Sequence, residues 1–104
     1  MNTVKVEIQF FEDCPNYKVM RENLKTALSG IEDKTELIST EVTETDTAQR
    51  IKFRGSPTLL INGKDIENFP APDNASLSCR YYPKGVPDAE KIRNTILKYL
   101  SVKE

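Results

Sequence analysis

The chain begins with a segment in which apolar and polar side chains alternate. Val4, Val6, Ile8 and Phe10 are each separated by one polar residue. Successive side chains of a β-strand point to opposite faces, so this period of two predicts a strand over residues 4–10 with one apolar face.

The period then changes to that of a helix. Pro15 suits the first position of a helix, and Gly30 suits its end. The apolar residues recur at intervals of three or four, at Tyr17, Met20, Leu24, Ala27, Leu28 and Ile31. This spacing predicts an amphipathic helix that begins at Pro15.

Weaker patterns occupy the middle of the chain. Residues 37–42 are rich in β-branched side chains and predict a second strand. Thr43 or Thr45 can cap a short helix that Gly55 ends. The apolar side of that helix consists of Ala48, Ile51 and Phe53.

A hairpin and a last helix complete the pattern. Residues 58–61 form a compact apolar run, and Asn62-Gly63 after it favours a type I′ turn into a strand near residues 64–67. Residues 68–87 contain four prolines and show no period. Asp88 can cap a final helix whose apolar face consists of Ile92, Ile96, Tyr99 and Leu100.

The order strand-helix-strand-helix-strand-strand-helix predicts an α/β fold. The first strand-helix-strand unit requires a right-handed parallel crossover, and the hairpin makes the last two strands antiparallel. A mixed four-stranded sheet covered by helices is the simplest closure, in one domain that spans residues 1–104.

Composition narrows the chemistry. The 104 residues include 15 basic and 16 acidic side chains, so no basic excess indicates a nucleic-acid partner. The chain has no histidine and two cysteines, which excludes histidine-based catalysis and the common zinc sites. We expect no metal and no cofactor. Neither a signal peptide nor a membrane span is visible, so we expect a cytoplasmic protein whose thiols are kept reduced.

Two short motifs resemble those of the thioredoxin-like superfamily, and in particular of its glutaredoxin-sized members. Cys14-Pro15-Asn16-Tyr17 opens the first helix where the family has C-x-x-C, with Tyr17 in place of the second cysteine. Ser56-Pro57 enters the third strand where the family holds a cis proline beside the reactive thiol. The resemblance covers the chain except residues 68–87, and the Gly-Gly-Asp turn that glutaredoxins use for glutathione is missing.

Cys14 is the candidate nucleophile, and the alternative is that it only caps the helix or fills the core. The partial positive charge of a helix N-terminus favours a thiolate, and Lys18 adds a cation one turn further on. Glu12 and Asp13 oppose this effect, but their carboxylates can turn towards solvent. We therefore expect a moderate lowering of the pKa of Cys14 and a thiol that substrates can reach.

Cys79 is the candidate resolving thiol. In the predicted topology both ends of the loop 68–87 lie on the Cys14 side of the sheet, which permits a disulfide between the two residues without proving it. On this hypothesis Cys14 attacks a disulfide and Cys79 resolves the mixed disulfide. The alternative is that Cys79 is an ordinary loop or core thiol.

Four further residues are candidates for substrate binding. Tyr17 lines the groove or begins the apolar face of its helix, and Ser56 and Pro57 border the thiol in the family. Arg80 lowers the pKa of Cys79, pairs with a substrate carboxylate or makes a surface contact. Three aromatic side chains are expected to hold the loop against the domain: Phe69, Tyr81 and Tyr82.

The leading functional hypothesis is a thiol–disulfide oxidoreductase that acts on a protein or small-molecule disulfide or thiol. One alternative keeps the fold but binds an extended peptide by strand addition at Pro57 without catalysis. Another is a dithiol protein that binds soft metals or mercurials. The sequence leaves the oligomeric state open.

Overall fold

A computed structural model describes residues 3–101 and confirms the predicted order of elements. Within that range the chain forms four strands and three α-helices, with a short 3₁₀ turn at Glu32–Lys34. The elements are β1 (Val4–Phe10), α1 (Pro15–Leu28), β2 (Thr35–Glu41), α2 (Thr45–Ile51), β3 (Thr58–Ile61), β4 (Lys64–Asp65) and α3 (Ala89–Leu100).

The four strands form one mixed sheet in the order β2-β1-β3-β4. β1 pairs with β2 in parallel, while β1–β3 and β3–β4 are antiparallel. Asn62 and Gly63 both have positive φ, at 51° and 81°, as a type I′ turn requires. The predicted sheet is therefore confirmed, including its hairpin.

The main core lies between the sheet and the pair of helices α1 and α3. The apolar face predicted for α1 is the face that is buried, with Met20 and Leu24 nearly inaccessible to solvent. A second, smaller cluster lies beside α2 and consists of Val42, Ala48, Phe53 and Ala75. Ala75 brings part of the long loop into this cluster, so the loop is packed against the domain.

Two predicted boundaries are wrong by two residues. β2 spans Thr35–Glu41 rather than residues 37–42, because its parallel register with β1 starts at the pair Val4 and Thr35. β4 ends at Asp65 rather than residue 67, because only Lys64 and Asp65 pair with β3. The hydrophobic periodicity of one strand does not specify its register with a neighbouring strand.

The predicted ends of α2 are also wrong. The N-cap is Glu44, which makes no side-chain capping bond, rather than Thr43 or Thr45. The helix ends at Ile51, and the left-handed φ of 55° at the C-cap Lys52 turns the chain so that the Phe53 N–H donates to the Ala48 carbonyl at 2.8 Å. Gly55 also has a positive φ, but its role lies in the contact with the long loop described below.

The loop between β4 and α3 is irregular, as predicted, apart from one isolated bridge at Cys79. Asp88 caps α3 as predicted, and its Oδ1 accepts a hydrogen bond of 2.8 Å from the Lys91 N–H. In the described residues no helix is long and apolar enough to cross a membrane.

Candidate active site

Cys14 lies where β1 has ended and α1 begins. It is the N-cap of α1 and has an extended backbone, and its carbonyl accepts a hydrogen bond of 3.0 Å from the Tyr17 N–H. Pro15 follows at the first helical position, where its missing N–H costs nothing. The sequence therefore places this sulfur at the positive end of a helix of 14 residues.

Cys14 and Cys79 form a disulfide across 65 residues of chain. Their Cα atoms are 5.6 Å apart, within the range that a disulfide can bridge. The topology that brings both ends of the loop to the Cys14 side has thus brought the two cysteines together.

The two cysteine residues differ in their exposure to solvent. Cys14 is only 2% exposed, whereas Cys79 is classed among the exposed residues. The expectation that substrates can reach Cys14 is therefore wrong for this disulfide form. Cys14 is bonded to Cys79, and the Cys79 backbone pairs with Ser56 as an isolated bridge.

This segment, residues 78–82, is here called the strap. It pairs with Ser56 as a single parallel bridge: the Ser56 N–H donates to the Ser78 carbonyl, and the Arg80 N–H donates to the Ser56 carbonyl, both at 2.8 Å. Ser56 is fully buried, so these two bonds satisfy polar main-chain groups that water does not reach. The strap thus occupies the main-chain edge of Ser56.

The Ser56 side chain and the Pro57 carbonyl make hydrogen bonds within the protein. The Ser56 hydroxyl donates to the Phe11 carbonyl and accepts from the Phe11 N–H, each at 3.0 Å. The peptide bond before Pro57 is cis, and the Pro57 carbonyl accepts a hydrogen bond from the Tyr82 hydroxyl. These bonds tie the end of β1, the start of β3 and the strap into one unit.

The Arg80 side chain holds the strap in place through its contacts with Asp65 and two aromatic rings. Its guanidinium makes a two-pronged ion pair with Asp65, with Nη2 at 3.0 Å from Oδ1, and lies 4.8 Å from the centre of the Phe69 ring and 4.6 Å from that of Tyr82. Arg80 is 8% exposed, so the expectation of a surface contact is wrong. Burial opposes its charge, but the hydrogen bond to Asp65 and neighbouring charges outweigh burial and raise the pKa of Arg80.

Asp65 and Arg54 belong to this anchor and were missed by sequence reasoning. The side chain of Asp65 is almost fully buried, and Arg54 lies beside it with Nε at 3.7 Å from Oδ2. Arg54 Nε also donates to the Phe69 carbonyl at 2.9 Å. The only sign of this ion pair in the sequence was the carboxylate of Asp65 within a short strand. Its partner Arg80 follows 15 residues later in an irregular loop.

Gly55 permits the close approach of the strap. A Cβ atom at this position would lie 2.9 Å from the Cβ of Arg80, and the φ of Gly55 is +101°. Any larger residue would push against the strap and would also strain the backbone. This contact explains the glycine that the sequence suggested as a helix stop.

Tyr17 begins the apolar face of α1, which was one of its two predicted roles. Its ring is half-buried and stacks on Phe10 with 4.1 Å between the ring centres. The Arg21 guanidinium lies over the same ring at 5.4 Å. Tyr17 therefore packs the start of the helix that carries Cys14.

The prediction for the loop aromatics is correct only for Tyr82. Tyr82 is buried and bonded to Pro57, and burial raises its pKa above the ordinary value for tyrosine. Phe69 is 50% exposed and Tyr81 is 80% exposed, so neither holds the loop in the manner expected.

Phe69 and Tyr81 both line a cavity of about 710 Å³. Its wall also includes Phe53, Arg54, Cys79 and Arg80.

The comparisons with known proteins support the fold. No family model and no curated protein matches the chain. Among solved structures, the crystal structure of chloroplastic thioredoxin z matches with a TM-score of 0.67 and 14% sequence identity. The match covers 97% of this chain and 81% of that one.

The chain has a thioredoxin-like fold. At this level of identity the likeness establishes architecture, and the chemistry has to be argued from the site itself. The site supplies a disulfide, a helix N-terminus and a proline-entered strand, all at one end of the sheet.

Proposed function

We propose that this chain is a thiol–disulfide oxidoreductase that works through Cys14 and Cys79. The observation that carries the proposal is the disulfide between the residue that opens α1 and a residue of the strap. A bond between a helix start and a loop can open without breaking an element of the sheet. The fold then supplies a dithiol whose two sulfurs are held for closure.

The reaction is an exchange of one disulfide for another. The protein disulfide takes two electrons from a substrate dithiol, which becomes a disulfide, while Cys14 and Cys79 become thiols and bind the two protons released. The reverse reaction reduces a substrate disulfide. The proposed partners are therefore protein or small-molecule thiols and disulfides, and the exchange needs no metal or cofactor.

The other predicted site residues have supporting roles in this proposal. The main chain of Ser56 and Pro57 holds the strap in the disulfide form and provides an edge for an extended substrate when the strap is released. Tyr17 and Arg80 act through position: Tyr17 packs the helix start, and Arg80 holds the strap on Asp65. We also propose a cytoplasmic location, where cellular thiols would return the protein to the dithiol form.

The test is catalysis of insulin reduction by dithiothreitol. We expect the wild-type protein to accelerate the reaction and the Cys14→Ser/Cys79→Ser double variant to lose the acceleration. Diamide treatment should give a Cys14–Cys79 linked peptide by mass spectrometry that the Cys79→Ser variant lacks. Equal rates with the wild-type protein and the double variant would refute the proposal.

A non-catalytic peptide binder is the second candidate, and one observation favours it. The buried main-chain groups of Ser56 pair with a segment of the same chain, which supports an edge that accepts an extended peptide. Binding of a synthetic peptide of residues 75–83 to the Cys14→Ser variant, measured by calorimetry, tests this function. Tight binding together with no insulin reduction by the wild-type protein would favour the binder.

A further inference from the structure

We propose that Cys79, and not Cys14, is the sulfur that becomes joined to the substrate. This inference rests on the proposed exchange reaction and reverses the roles that the motif at the helix start suggests. Its first support is access: Cys79 is exposed, whereas Cys14 is 2% exposed. An attacking thiolate must reach a sulfur in line with the bond that breaks, so the buried sulfur is the poorer target.

The cavity beside the disulfide points to the same sulfur. Cys79 lies in the wall of the cavity of about 710 Å³, and Cys14 does not. Phe69 and Tyr81 are exposed aromatic residues in that wall. A thiol with an apolar or aromatic group next to it can therefore bind where Cys79 is attacked.

Cys14 is the better leaving group. Its sulfur lies at the N-terminus of α1, where the unpaired N–H groups and the helix dipole stabilise a thiolate. Cys79 lies in an irregular segment without such a helix end. Because the thiol with the more stable thiolate leaves faster, attack at Cys79 with departure of Cys14 is favoured.

The steps balance in both directions. In oxidation, a substrate thiolate attacks Sγ of Cys79, the Cys14–Cys79 bond breaks, and the electron pair stays on Cys14 as a thiolate. A second substrate thiolate then attacks the substrate sulfur of the mixed disulfide and releases Cys79. In reduction, the Cys79 thiolate attacks one sulfur of a substrate disulfide, and the other substrate sulfur leaves as a thiolate. The Cys14 thiolate then attacks Sγ of Cys79, closes the protein disulfide and releases the second substrate sulfur as a thiolate.

Sulfite is the probe for this inference, because it marks the sulfur that it attacks. It adds to one sulfur of a disulfide as an S-sulfonate and releases the other as a thiolate. The oxidised wild-type protein is treated with sulfite, the released thiol is alkylated with iodoacetamide, and peptides are analysed by mass spectrometry. We expect the S-sulfonate on Cys79 and the alkyl group on Cys14, with a preference of at least about tenfold.

The same oxidised protein in concentrated urea is the matched control. There the fold no longer hides Cys14, so the S-sulfonate should divide between the two cysteines within about threefold. A native preference for Cys14, an even native distribution, or a native disulfide that reacts only in urea would each overturn the inference. The insulin assay is independent of this result, so failure here would leave the exchange function standing, whereas loss of insulin reduction would remove both.

Discussion

The apolar framework and the strap are held in place by different kinds of interaction. The framework consists of the sheet with α1 and α3, and it is held by apolar side chains that recur with the period of their element. Each such side chain contributes about 1.5–3 kcal/mol through burial, without a specific partner. The strap instead depends on individual partners: one disulfide, one ion pair, hydrogen bonds with the main chain of Ser56, and a hydrogen bond that the Pro57 carbonyl accepts.

This difference supports the proposed exchange at the strap. A redox reaction can remove one covalent bond there while the framework keeps its packing. The remaining partners, Asp65, Ser56 and Pro57, belong to the framework and stay in position to receive the strap again. We therefore expect each change to the strap to lower stability through the loss of one specific interaction partner.

Breaking the disulfide should give the largest effect. Cross-linking residues 65 apart restricts the unfolded chain, so reduction or Cys79→Ser should lower the free energy of unfolding by about 4 kcal/mol. Guanidinium titration of both forms measures this difference. The framework change Met20→Ala should lower the free energy of unfolding by about 2–5 kcal/mol. This loss should be similar in the oxidised and the reduced protein. A difference below about 1 kcal/mol on reduction would contradict the prediction.

Removing the partner of Arg80 should come next. Asp65→Asn leaves the buried guanidinium of Arg80 and the partly buried guanidinium of Arg54 without a carboxylate, and should lower the free energy of unfolding by about 3 kcal/mol. Asp73→Asn removes the same charge from an exposed position in the loop and should change stability by less than about 0.5 kcal/mol. Similar urea midpoints for the two variants would show that the ion pair does not anchor the strap.

The contact between Gly55 and the strap can be separated from the backbone effect. Gly55→Ala should cost about 2 kcal/mol, because the added Cβ meets Arg80 and the positive φ is strained. Gly30→Ala has a similarly positive φ but open space around it, so it should cost only about 1 kcal/mol. Thermal unfolding of both variants measures the difference, and equal costs would argue against a tight contact with the strap.

The smallest effect should come from the Tyr82 hydroxyl and should depend on pH. Loss of its bond to Pro57 in Tyr82→Phe should cost about 1 kcal/mol at neutral pH. Because burial raises the pKa of Tyr82 in the folded state, the unfolded chain loses this proton first as pH rises above 10. This contribution to stability is therefore complete below pH 10 and is lost above it.

The variant should accordingly show a weaker decline in stability above pH 10 than the wild-type protein. Tyr81→Phe is the matched control, since that side chain is exposed and should keep the wild-type decline. The free energy of unfolding in urea, measured from pH 8 to 11, provides the test. Identical profiles for Tyr82→Phe and the wild-type protein would show that the buried hydroxyl does not contribute.

Local sequence determined most of the framework. The alternation in residues 4–10, the helical period after Pro15 and the Asn62-Gly63 turn each predicted their element, because burial of a regular face and turn stereochemistry act over a few residues. The position of Cys14 at a helix start follows from the same patterns. The start of β2 and the end of β4 did not follow from local patterns, because they depend on the register of a neighbouring strand.

Only the tertiary structure decided which of the two sulfurs is accessible. The burial of Cys14, the ion pair of Arg80 with Asp65 and the exposure of Tyr81 all depend on where an aperiodic loop lies on the sheet. That position is set by contacts between residues 15 to 65 apart, each of which needs a specific partner rather than a repeating pattern. A sequence motif can therefore place a cysteine at a helix start, but the packing of the strap determines which of the two cysteines is exposed.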